Sequence, residues 1–497
     1  MIENKDPLSE AVNSLFGLTY LFPYQRLVIT NILEAANNDL TDRDTLGKQI
    51  VILPTGAGKS LCFQLPAMMI EGITLVIYPI LSLMADQQRR LHERGFSPVT
   101  IRGEQTKEER DEIWQKLESN QAKFIIANPE VLLTPQVKEK LEKIKIKHIV
   151  IDEAHCVSEW GESFRPSYLE IGSIIKSLNP PLVTAFTATA SAPVLEKIKK
   201  YVFGDSEAQL IMGNPDRPNI YYSALGCINR NLAVRDILIK NLRPAIVFCS
   251  SRPGTEKLAR YLRNELEEMG YDWHNEIRFY HAGLSREEKT KTEKWLLHNK
   301  EAVLVSTCAF GMGVDKADVR TVIHRDCPPS IEAYLQESGR AGRDGEQSKA
   351  ILLWGPEDEI ALARVKTQAD RSRLMSLLNY ATDVKNCRRH SLLKMLNYDS
   401  GGEVPEGICC DVCNPMDGCN PSDGCNEANN LREVNAILHF FRKNKRRFTQ
   451  TQAASALAKN KTFRWSQDEA SAVIGYLLKT KKLRRLTSFL WKDRITL

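Results

Sequence analysis

The chain has 497 residues, of which 42% are hydrophobic and 26% charged, and this composition excludes a disordered or collagen-like protein. Its length exceeds what one hydrophobic core supports, so three or four domains are expected. The net charge of +6 hides a division, because residues 431–497 hold 16 basic against 4 acidic residues, a net +12, and leave −6 for residues 1–430. A basic end therefore follows a slightly acidic body.

Signals for secretion or membrane insertion are missing from the sequence. The first six residues, Met-Ile-Glu-Asn-Lys-Asp, lead into no apolar segment of the kind found in signal peptides. No apolar run approaches the roughly 18–20 residues that span a bilayer. We therefore predict a cytoplasmic protein without a membrane partner, associated with the nucleoid if its source is bacterial.

Short apolar runs separated by helix-like stretches occur in two sets. The first set is Ile50–Leu53, Leu75–Tyr78, Phe124–Ala127, Ile149–Ile151 and Val183–Phe186. The second set is Ile246–Cys249, Ile277–Tyr280, Val303–Ser306, Thr321–His324 and Ile351–Trp354. Buried strands that alternate with helices form parallel sheets covered on both faces. The sequence predicts two α/β lobes, residues 1–212 and 213–356, joined at a stretch containing two prolines.

A glycine-rich segment follows the first apolar run and precedes a helix-like stretch. It reads Pro54-Thr55-Gly56-Ala57-Gly58-Lys59-Ser60, which predicts a loop that binds ATP through its backbone N–H groups. Lys59 is then expected at the β- and γ-phosphates, and the Ser60 hydroxyl at Mg²⁺. The strict pattern fails at its first glycine, where Leu53 stands, and a purely structural strand-to-helix turn is the alternative.

Two acids follow the apolar run His148–Ile151. Asp152 at the end of this predicted strand is expected to bind Mg²⁺ together with Ser60, and Glu153 to orient or deprotonate a water. Acidic pairs after strands are more often solvated loop charges. The phosphate-loop sequence earlier in the same lobe favours the catalytic interpretation.

The sequence around these acids resembles a known family. Asp152-Glu-Ala-His-Cys-Val-Ser-Glu-Trp-Gly-Glu-Ser-Phe-Arg-Pro166 is similar to the second motif and aromatic-rich loop of RecQ family DNA helicases, in superfamily 2. Further segments similar to the family are Tyr78–Gln87, Thr187–Ala190, Asp216–Asn219, Tyr280–Leu284, Ala309–Asp315 and Gln336–Gly345. Together these ordered motifs cover about residues 16 to 413, and their coincidence is specific although each alone is weak.

The resemblance implies two RecA-like lobes with ATP in the cleft between them. Lys59 and Asp152 would come from the first lobe. Arg340 and Arg343 from the second would stabilise the γ-phosphate during transfer. The alternative for these two arginines is a solvated basic turn, since their surroundings are rich in glycine.

The resemblance also assigns residues that couple hydrolysis to DNA. Gln336 and His155 would relay the nucleotide state, and the segment from Thr187 to Thr189 would link the cleft to the DNA groove. In the aromatic-rich loop, the side chains expected to stack on unpaired bases are Trp160, Phe164 and Arg165. Aromatic residues beside a sheet are more often part of the core, which is the alternative for this loop.

The adenine-binding segment departs from the family pattern. Leu18 occupies the position of an aromatic residue and Phe22 that of an arginine, whereas Gln25 is retained and can read the adenine edge. Stacking on the base is then left to Tyr20, Phe22 or Tyr24. We therefore expect weaker discrimination between nucleotide bases.

Cysteines concentrate after the second lobe. Cys387 lies in a helix-like segment, and Cys409, Cys410 and Cys413 follow within a short stretch. Thiolates bunched in this way suit tetrahedral Zn²⁺, so these four residues are the predicted ligands in a helical zinc-binding module, residues 357–426.

The cysteine spacing also departs from the family. Its common pattern is Cys-x-x-Cys-x-x-Cys, and Gly407 stands where the first cysteine would be. The chain resembles a Cys-Cys-x-x-Cys variant instead. Cys419 and Cys425 are surplus, although either could replace Cys409.

The last residues, 427–497, are predicted to form a basic winged helix, called here the wing domain. Thr449 with Gln452, and Ser466 with Glu469, match capping boxes before helices, and Phe489–Leu497 is a predicted strand. The net charge of this region predicts steeply salt-dependent binding to DNA phosphates, with a solvated basic surface as the alternative. Phe489 and Trp491 are expected either to separate the strands of a DNA duplex or to pack the wing onto the last helix.

The sequence as a whole predicts an ATP-dependent DNA helicase that acts in recombination and repair, with ATP and DNA as its partners and Mg²⁺ and Zn²⁺ as its cofactors. This motor is expected to translocate on single-stranded DNA and to unwind duplexes, and the family resemblance alone supplies the 3′–5′ direction. Two alternatives remain: an ATP-gated DNA clamp or translocase without robust unwinding, and an RNA helicase of the same superfamily.

Overall fold

The computed structural model describes residues 6–37, 46–54, 57–159, 165–204, 206–308, 316–396, 398, 408–415, 425–460, 465, 467–487 and 492–497. The chain divides into two compact units. The first contains Met1–Asp216 with Leu396–Tyr398, and the second contains Arg217–Met395 with Asp399–Leu497. Among the helices described, none is both long and apolar enough to cross a membrane.

The first unit is built on a seven-stranded parallel sheet in the order β3-β4-β2-β5-β6-β1-β7. Its strands are β1 (Lys48–Ile52), β2 (Ile73–Ile77), β3 (Val99–Ile101), β4 (Phe124–Ala127), β5 (Ile146–Ile151), β6 (Leu182–Thr187) and β7 (Gln209–Met212). Most of these strands are runs of buried β-branched and aromatic residues, as expected where both faces of a sheet are covered.

Helices cover both faces of this sheet. They are α1 (Pro7–Phe16), α2 (Pro23–Asn37), α3 (Lys59–Met69), α4 (Leu81–Glu93), α5 (Lys107–Glu118), α6 (Pro129–Leu132), α7 (Pro135–Glu142), α8 (Cys156–Glu159), α9 (Ile171–Leu178) and α10 (Ala192–Ile198). Ile50 and Ile52 of β1 belong to one hydrophobic core, whereas Val51 and Leu53 belong to another. This alternation follows from the two-residue period of a strand.

The second unit contains a six-stranded parallel sheet in the order β10-β11-β9-β12-β13-β8. Its strands are β8 (Ile220–Gly226), β9 (Ala245–Phe248), β10 (Ile277–Tyr280), β11 (Val303–Ser306), β12 (Thr321–His324) and β13 (Ser348–Trp354). The helices of this part are α11 (Arg230–Lys240), α12 (Arg252–Glu268), α13 (Arg286–His298), α14 (Ile331–Ser338), α15 (Pro356–Arg364), α16 (Gln368–Thr382) and α17 (Arg388–Met395). The prediction of two parallel-sheet lobes is confirmed.

The wing domain contains α18 (Cys425–Lys443), α19 (Gln450–Ala458), α20 (Gln467–Lys479) and an antiparallel pair, β14 (Arg484–Arg485) with β15 (Ile495–Thr496). This order is typical of a winged helix. The predicted capping box of Thr449 and Gln452 is present. The predicted strand Phe489–Leu497 is shorter in the described part, because Asp493 adopts a turn conformation with φ 62° before β15 begins. Phe489 and Trp491 lie outside the described residues.

The wing domain and the second lobe belong to one compact unit. Ile228, which follows β8, is part of the hydrophobic core of the wing domain. The four domain ranges given by the sequence remain predictions, since the described contacts divide the chain only between Asp216 and Arg217.

Candidate nucleotide site and cysteine cluster

The phosphate-loop sequence and the acidic pair meet at one edge of the first sheet. In the parallel register, Ile52 at the end of β1 pairs with Thr187, and Ile151 at the end of β5 pairs with Ala185 of β6. The backbone N–H of Leu53 donates to the carbonyl of Thr187 at 3.0 Å. Ligands of parallel α/β sheets bind at the carboxyl ends of the strands, and this edge is where the predicted residues converge.

The phosphate loop leads directly into α3. Gly58 is the N-cap of this helix with φ 75°, and Lys59 and Ser60 are its first two residues. Their N–H groups therefore lie in the first turn, where the helix dipole favours an anion. Ala57 is buried, whereas Thr55 and Gly56 lie outside the described residues.

Three charged side chains lie together at the sheet edge. The Lys59 Nζ is 3.8 Å from Glu153 Oε1, and Asp152 accepts a 3.0 Å hydrogen bond from the backbone N–H of Glu153. Asp152 is 7% exposed, and burial together with the charge of Glu153 raises its pKa to about 7. A carboxylate held in this way favours a nearby cation.

His155 connects the acids to the end of β6. Its Nδ1 lies 3.0 Å from Thr187 Oγ1 and 3.4 Å from Glu153 Oε2. Because the Thr187 hydroxyl donates to the carbonyl of Thr189 at 2.8 Å, its oxygen must accept from the histidine, which assigns the proton to Nδ1. The predicted relay residues His155, Thr187 and Thr189 are buried and form one chain of contacts with the half-buried Glu153.

Gln25 links the amino-terminal segment to the phosphate loop. Its Nε2 donates to the carbonyl of Ala57 and its Oε1 accepts from the N–H of Phe22, both at 2.9 Å. A Cβ at Gly58 would lie 2.5 Å from the same Nε2, so this position requires glycine. The rings of Phe22 and Tyr24 stack with centroids 5.5 Å apart, and half of Phe22 is exposed.

Arg165 of the predicted DNA-coupling loop has contacts within the first unit. Its Nε donates to Glu130 at 2.6 Å, its Nη1 donates to the carbonyl of Pro79, and its guanidinium lies over the ring of Tyr168. The other two residues predicted for this loop, Trp160 and Phe164, lie outside the described residues. Stacking of this loop on bases remains a prediction.

The second lobe presents the three remaining predicted residues around the end of α14. Gln336 lies within this helix and is half-buried. Arg340 and Arg343 follow in the turn after the helix; Arg340 is 4% exposed and Arg343 is half-buried. The burial of Arg340 disagrees with a fully solvated basic turn, which was the alternative given by the sequence, and the catalytic role of both arginines stays a prediction.

Two further side chains hold this arginine turn in place. The guanidinium of Arg217 donates to the carbonyls of Gly339, Ala341 and Gly342 at 2.9–3.2 Å. Asn219 donates to the carbonyl of Gly342 at 2.7 Å. The sequence identified the segment Asp216–Asn219 as similar to the family but gave these two residues no role. Nothing in the neighbouring sequence indicates that their side chains bind carbonyls more than a hundred residues away.

The four predicted metal ligands form one cluster. The Sγ atoms of Cys387, Cys409, Cys410 and Cys413 all lie within 4.8 Å of one another, with Cys387 at 3.5 Å from Cys409 and 3.9 Å from Cys410. Tetrahedral Zn–S bonds of about 2.3 Å place sulfur atoms about 3.8 Å apart. The thiols of Cys387 and Cys409 lower the pKa of Cys410.

Backbone pairing fixes the cysteine segment on the second sheet. Cys410 forms a parallel bridge with Tyr222 of β8. Asp411 accepts from the N–H of Ala224 at 2.9 Å and from Arg388 Nε at 2.6 Å, and Arg388 is 1% exposed. Cys387 and the later cysteines are therefore brought together by α17 and the edge strand. Cys419 lies outside the described residues, and Cys425 begins α18.

Comparison with known proteins places the chain in a family. The DEAD/DEAH box helicase family matches residues 22–198, and the helicase conserved C-terminal domain matches residues 229–345. The ATP-dependent DNA helicase RecQ of Bacillus subtilis is 30% identical over 450 residues, which are 88% of this chain and 73% of that protein. The chain belongs to the RecQ family. This confirms the family that the sequence motifs resemble.

Other comparisons agree with the RecQ assignment. The ATP-dependent DNA helicase RecQ of Pasteurella multocida is 34% identical over 387 residues, which are 76% of this chain but only 59% of that relative. The chain thus spans about three fifths of the length of this curated relative. The solved structure of the DUF1998 helicase MrfA bound to DNA has a TM-score of 0.57 and 20% identity, covering 100% of this chain and 59% of that one. It supports the fold.

The first prediction concerns the brace around the arginine turn, which is the set of hydrogen bonds from Arg217 and Asn219 to its carbonyls. Gly342 and Gly345 both have positive φ, at 54° and 87°, but only at Gly342 would a Cβ meet neighbouring atoms, with Asn219 Nδ2 and the carbonyl of Glu346 each at 2.5 Å. Gly342→Ala should lower ATP turnover on the order of tenfold through misplacement of the arginines. Gly345→Ala has the same backbone strain without the collision and should stay within about twofold of wild type.

Steady-state ATPase assays with single-stranded DNA would measure both glycine variants, and a fluorescent ATP analogue would report binding. Because the phosphate loop lies in the other unit, analogue affinity should be retained by both. Equal losses of turnover in the two variants would contradict the brace, since backbone strain alone would then explain them.

The second prediction concerns the buried acid. Since the folded-state pKa of Asp152 is raised from 3.8 to about 7, the ionised form destabilises the fold, and stability falls as pH rises between these values. Asp152→Asn should therefore raise the thermal midpoint at pH 8 by about 2–4 °C, and this difference should shrink as pH falls through 7 and disappear only below about pH 4. The exposed Asp111→Asn is the control and should leave the thermal midpoint close to that of wild type at pH 8.

Scanning calorimetry without nucleotide or divalent cation would test this expectation for Asp152. An Asn variant that is less stable than wild type at pH 8 would show that the carboxylate is stabilised by its surroundings.

Proposed function

We propose that this chain is an ATP-dependent DNA helicase that translocates 3′–5′ on single-stranded DNA and unwinds duplexes in recombination and repair. The observation that carries the proposal is the convergence of Lys59, Asp152 and Glu153 at one sheet edge, with His155 joining Glu153 to Thr187. This arrangement would couple a phosphate site at Lys59 to the end of β6 in the same lobe. The family relationship supplies the choice of DNA and the direction of movement.

ATP is proposed to bind with its phosphates on the loop from Thr55 to Ser60. Lys59 would neutralise the β- and γ-phosphates, and Ser60 and Asp152 would hold Mg²⁺, whose oxygen ligands they provide. The buried carboxylate of Asp152 fits a cation, because burial disfavours its charge unless a positive partner is near. Bound Mg²⁺ supplies electrostatic stabilisation of the phosphates.

Glu153 is proposed to orient and deprotonate the attacking water. It now pairs with Lys59 across 3.8 Å, and phosphate binding would take Lys59 away from it. Glu153 would then bind the attacking water, while His155, which contacts the same carboxylate, would transmit the change to Thr187 and Thr189. ATP binding would thus allow Glu153 to act as the base. Through His155, it would at the same time alter the contacts of Thr187 at the end of β6.

The second lobe is proposed to contribute Arg340 and Arg343 as the groups that stabilise charge on the γ-phosphate, with Gln336 sensing the nucleotide. Arg217 and Asn219 would be positioning residues for this turn. Their hydrogen bonds to its carbonyls support the proposal, because a guanidinium contributes to catalysis only where it is held in register.

Zn²⁺ is proposed to bind Cys387, Cys409, Cys410 and Cys413. Four sulfur atoms within 4.8 Å suit tetrahedral coordination, and the metal would tie α17 to the segment on β8. DNA is proposed to bind through Trp160, Phe164 and Arg165, and through the basic wing domain, which carries a net +12 over residues 431–497.

The third prediction tests function and polarity together. Wild-type protein should unwind a 3′-tailed DNA duplex in the presence of ATP and Mg²⁺, and should leave a 5′-tailed DNA duplex and an RNA duplex intact. Lys59→Ala should lower the rate by at least about 100-fold, because the phosphates lose their cation. Lys138→Ala, an exposed lysine of α7, is the matched control and should unwind normally.

A strand-displacement assay with labelled strands would separate the proposed activity from its alternatives. ATP turnover without displacement would indicate a clamp, and preferential opening of the RNA duplex would indicate an RNA helicase.

The fourth prediction concerns the metal. Elemental analysis should find one zinc per chain in wild type and in Cys419→Ser, and none in Cys387→Ser, which removes one of the four clustered thiols. Chelation should lower the thermal midpoint of wild type, because metal binding contributes folding free energy. Full zinc content in Cys387→Ser, or its loss in Cys419→Ser, would show that the ligand set is different.

A further inference from the structure

A buried histidine and a buried glutamate connect the second sheet to the helix that precedes the arginine turn. His324 is the last residue of β12 and is 0% exposed. Glu337 lies in the last turn of α14 and is 7% exposed. The Nε2 of His324 lies 2.9 Å from Oε2 of Glu337. A carboxylate at this depth is costly unless it has a partner, so this hydrogen bond fixes the end of α14 to the sheet.

The histidine is itself held by the core of the second lobe. Its ring stacks on that of Phe248 in the neighbouring strand β9, with centroids 5.3 Å apart, and lies 4.8 Å from the ring of Tyr334. The strand register pairs His324 with Phe248, and the N–H of the next residue, Arg325, donates to the carbonyl of Phe248 at 3.0 Å. A side chain that packing locks in this way holds its own partner within a narrow range of positions.

The hydrogen bond between the two side chains has a defined direction. An ionised carboxylate only accepts, so the proton of this bond is assigned to Nε2 of His324. Among the described residues, none offers a hydrogen bond to the buried Nδ1 of the same ring. An unpaired buried nitrogen costs stability, which an apolar side chain at this position would avoid. The imidazole therefore has one polar contact, and that contact is with α14.

Glu337 lies directly beside the arginine turn. Its backbone carbonyl accepts from the N–H of Arg340 at 3.2 Å, so the residue that His324 holds is also the residue from which the turn begins. The brace holds later carbonyls of the turn, from Gly339 to Gly342. The two sets of hydrogen bonds thus anchor the turn at its start and along its length.

Helical geometry links the histidine contact to the position of Arg340. This arginine follows Glu337 by three residues, which is less than one turn of an α-helix. A change in the depth of Glu337 would therefore move the backbone that carries Arg340. A displacement of about 1 Å at a catalytic group can lower a reaction rate by about 100-fold.

We propose that His324 and Glu337 are positioning residues for ATP hydrolysis, and that their hydrogen bond sets the place of Arg340 at the carboxyl edge of the second sheet. The proposal rests on the proposed function, which assigns Arg340 to the γ-phosphate. The required feature is the hydrogen bond and not the charge of the carboxylate, because Nε2 needs only an oxygen acceptor at this place. The pair acts on turnover and leaves nucleotide binding to the phosphate loop, which belongs to the other unit.

Removal of the carboxylate and its conservative replacement test the pair. Glu337→Ala deletes the acceptor, Glu337→Leu deletes it without leaving a large cavity, and Glu337→Gln keeps an oxygen at the same place. Glu276→Ala is the matched control, because this half-buried carboxylate accepts from Trp295 Nε1, at 3.0 Å, and from Asn299. It removes side-chain hydrogen bonds from the same lobe at the amino end of β10, the opposite edge of the sheet.

Steady-state ATP turnover with single-stranded DNA, affinity for a fluorescent ATP analogue and thermal midpoints would be measured for each variant. Glu337→Ala and Glu337→Leu should lower kcat on the order of tenfold, with KM and analogue affinity within about twofold of wild type. Glu337→Gln should recover at least about half of the wild-type kcat, because its carbonyl oxygen can accept from Nε2. Glu276→Ala should retain wild-type turnover even where its thermal midpoint falls as far.

A second background separates positioning from a general loss of stability. In Arg340→Ala the guanidinium that the pair positions is absent, so adding Glu337→Ala should lower the rate by no more than about twofold further. Single-turnover hydrolysis with enzyme in excess would measure these slow rates. A purely structural loss would instead lower the rate by the same factor in both backgrounds.

Wild-type kcat in a folded Glu337→Ala or Glu337→Leu variant would overturn the proposal. Failure of Glu337→Gln to recover turnover would overturn it as well, because the charge would then be the required feature. An equal loss from Glu337→Ala with and without Arg340 would do the same. Wild-type turnover in Arg340→Ala itself would instead defeat the proposed function of the arginine turn.

Discussion

In the first sheet, β6 lies between β1 and β5, and this pairing is the constraint on which the nucleotide site depends. Register places Thr187 beside Ile52 and Ala185 beside Ile151, so the loops after all three strands leave the sheet at the same edge. Lys59 and Asp152 are more than ninety residues apart in sequence and meet only because of it. A shift of one residue would move each buried side chain to the core on the opposite face, where it would not fit its neighbours, so the two cores hold the site in place.

In the second unit, one buried arginine is a comparable constraint, because it holds separate elements of the lobe together. Arg230 is 3% exposed and pairs with Asp326, Glu357 and Asp358 at 2.5–3.3 Å. A buried guanidinium is costly unless its donors are satisfied, and these carboxylates come from the end of β12 and the start of α15. The neighbouring Arg325 extends the network to Glu469 of the wing domain. Movement of the wing domain away from the second lobe would therefore break the ion pair between Glu469 and Arg325, which follows β12.

The sequence was most informative where a feature depends on residues that are close together along the chain. Apolar runs located most strands. The motifs pointed to Lys59 and Asp152, which meet at one sheet edge, and to four cysteines, which cluster separately in the second unit. It was least informative where contacts span long separations: Arg217 reaches carbonyls 122 to 125 residues later, and Arg325 meets Glu469 across 144 residues. Such pairs carry no periodicity, and a side chain that bonds to carbonyls leaves no requirement on the residue type of its partner. The role of Gln25 as a link to Ala57 was hidden for the same reason.

The cysteine cluster also completes the second sheet. β8 is the last strand in the order of that sheet, and an uncovered edge strand invites pairing with other chains. The segment Cys409–Asp411 pairs along it, and Cys409 and Cys410 pack in the same core as Leu377 and Leu392 of the helices beyond. Ligation of the four thiols would lock this covering segment to α17. Loss of the metal should then weaken the sheet edge before it affects the phosphate loop, which belongs to the other unit.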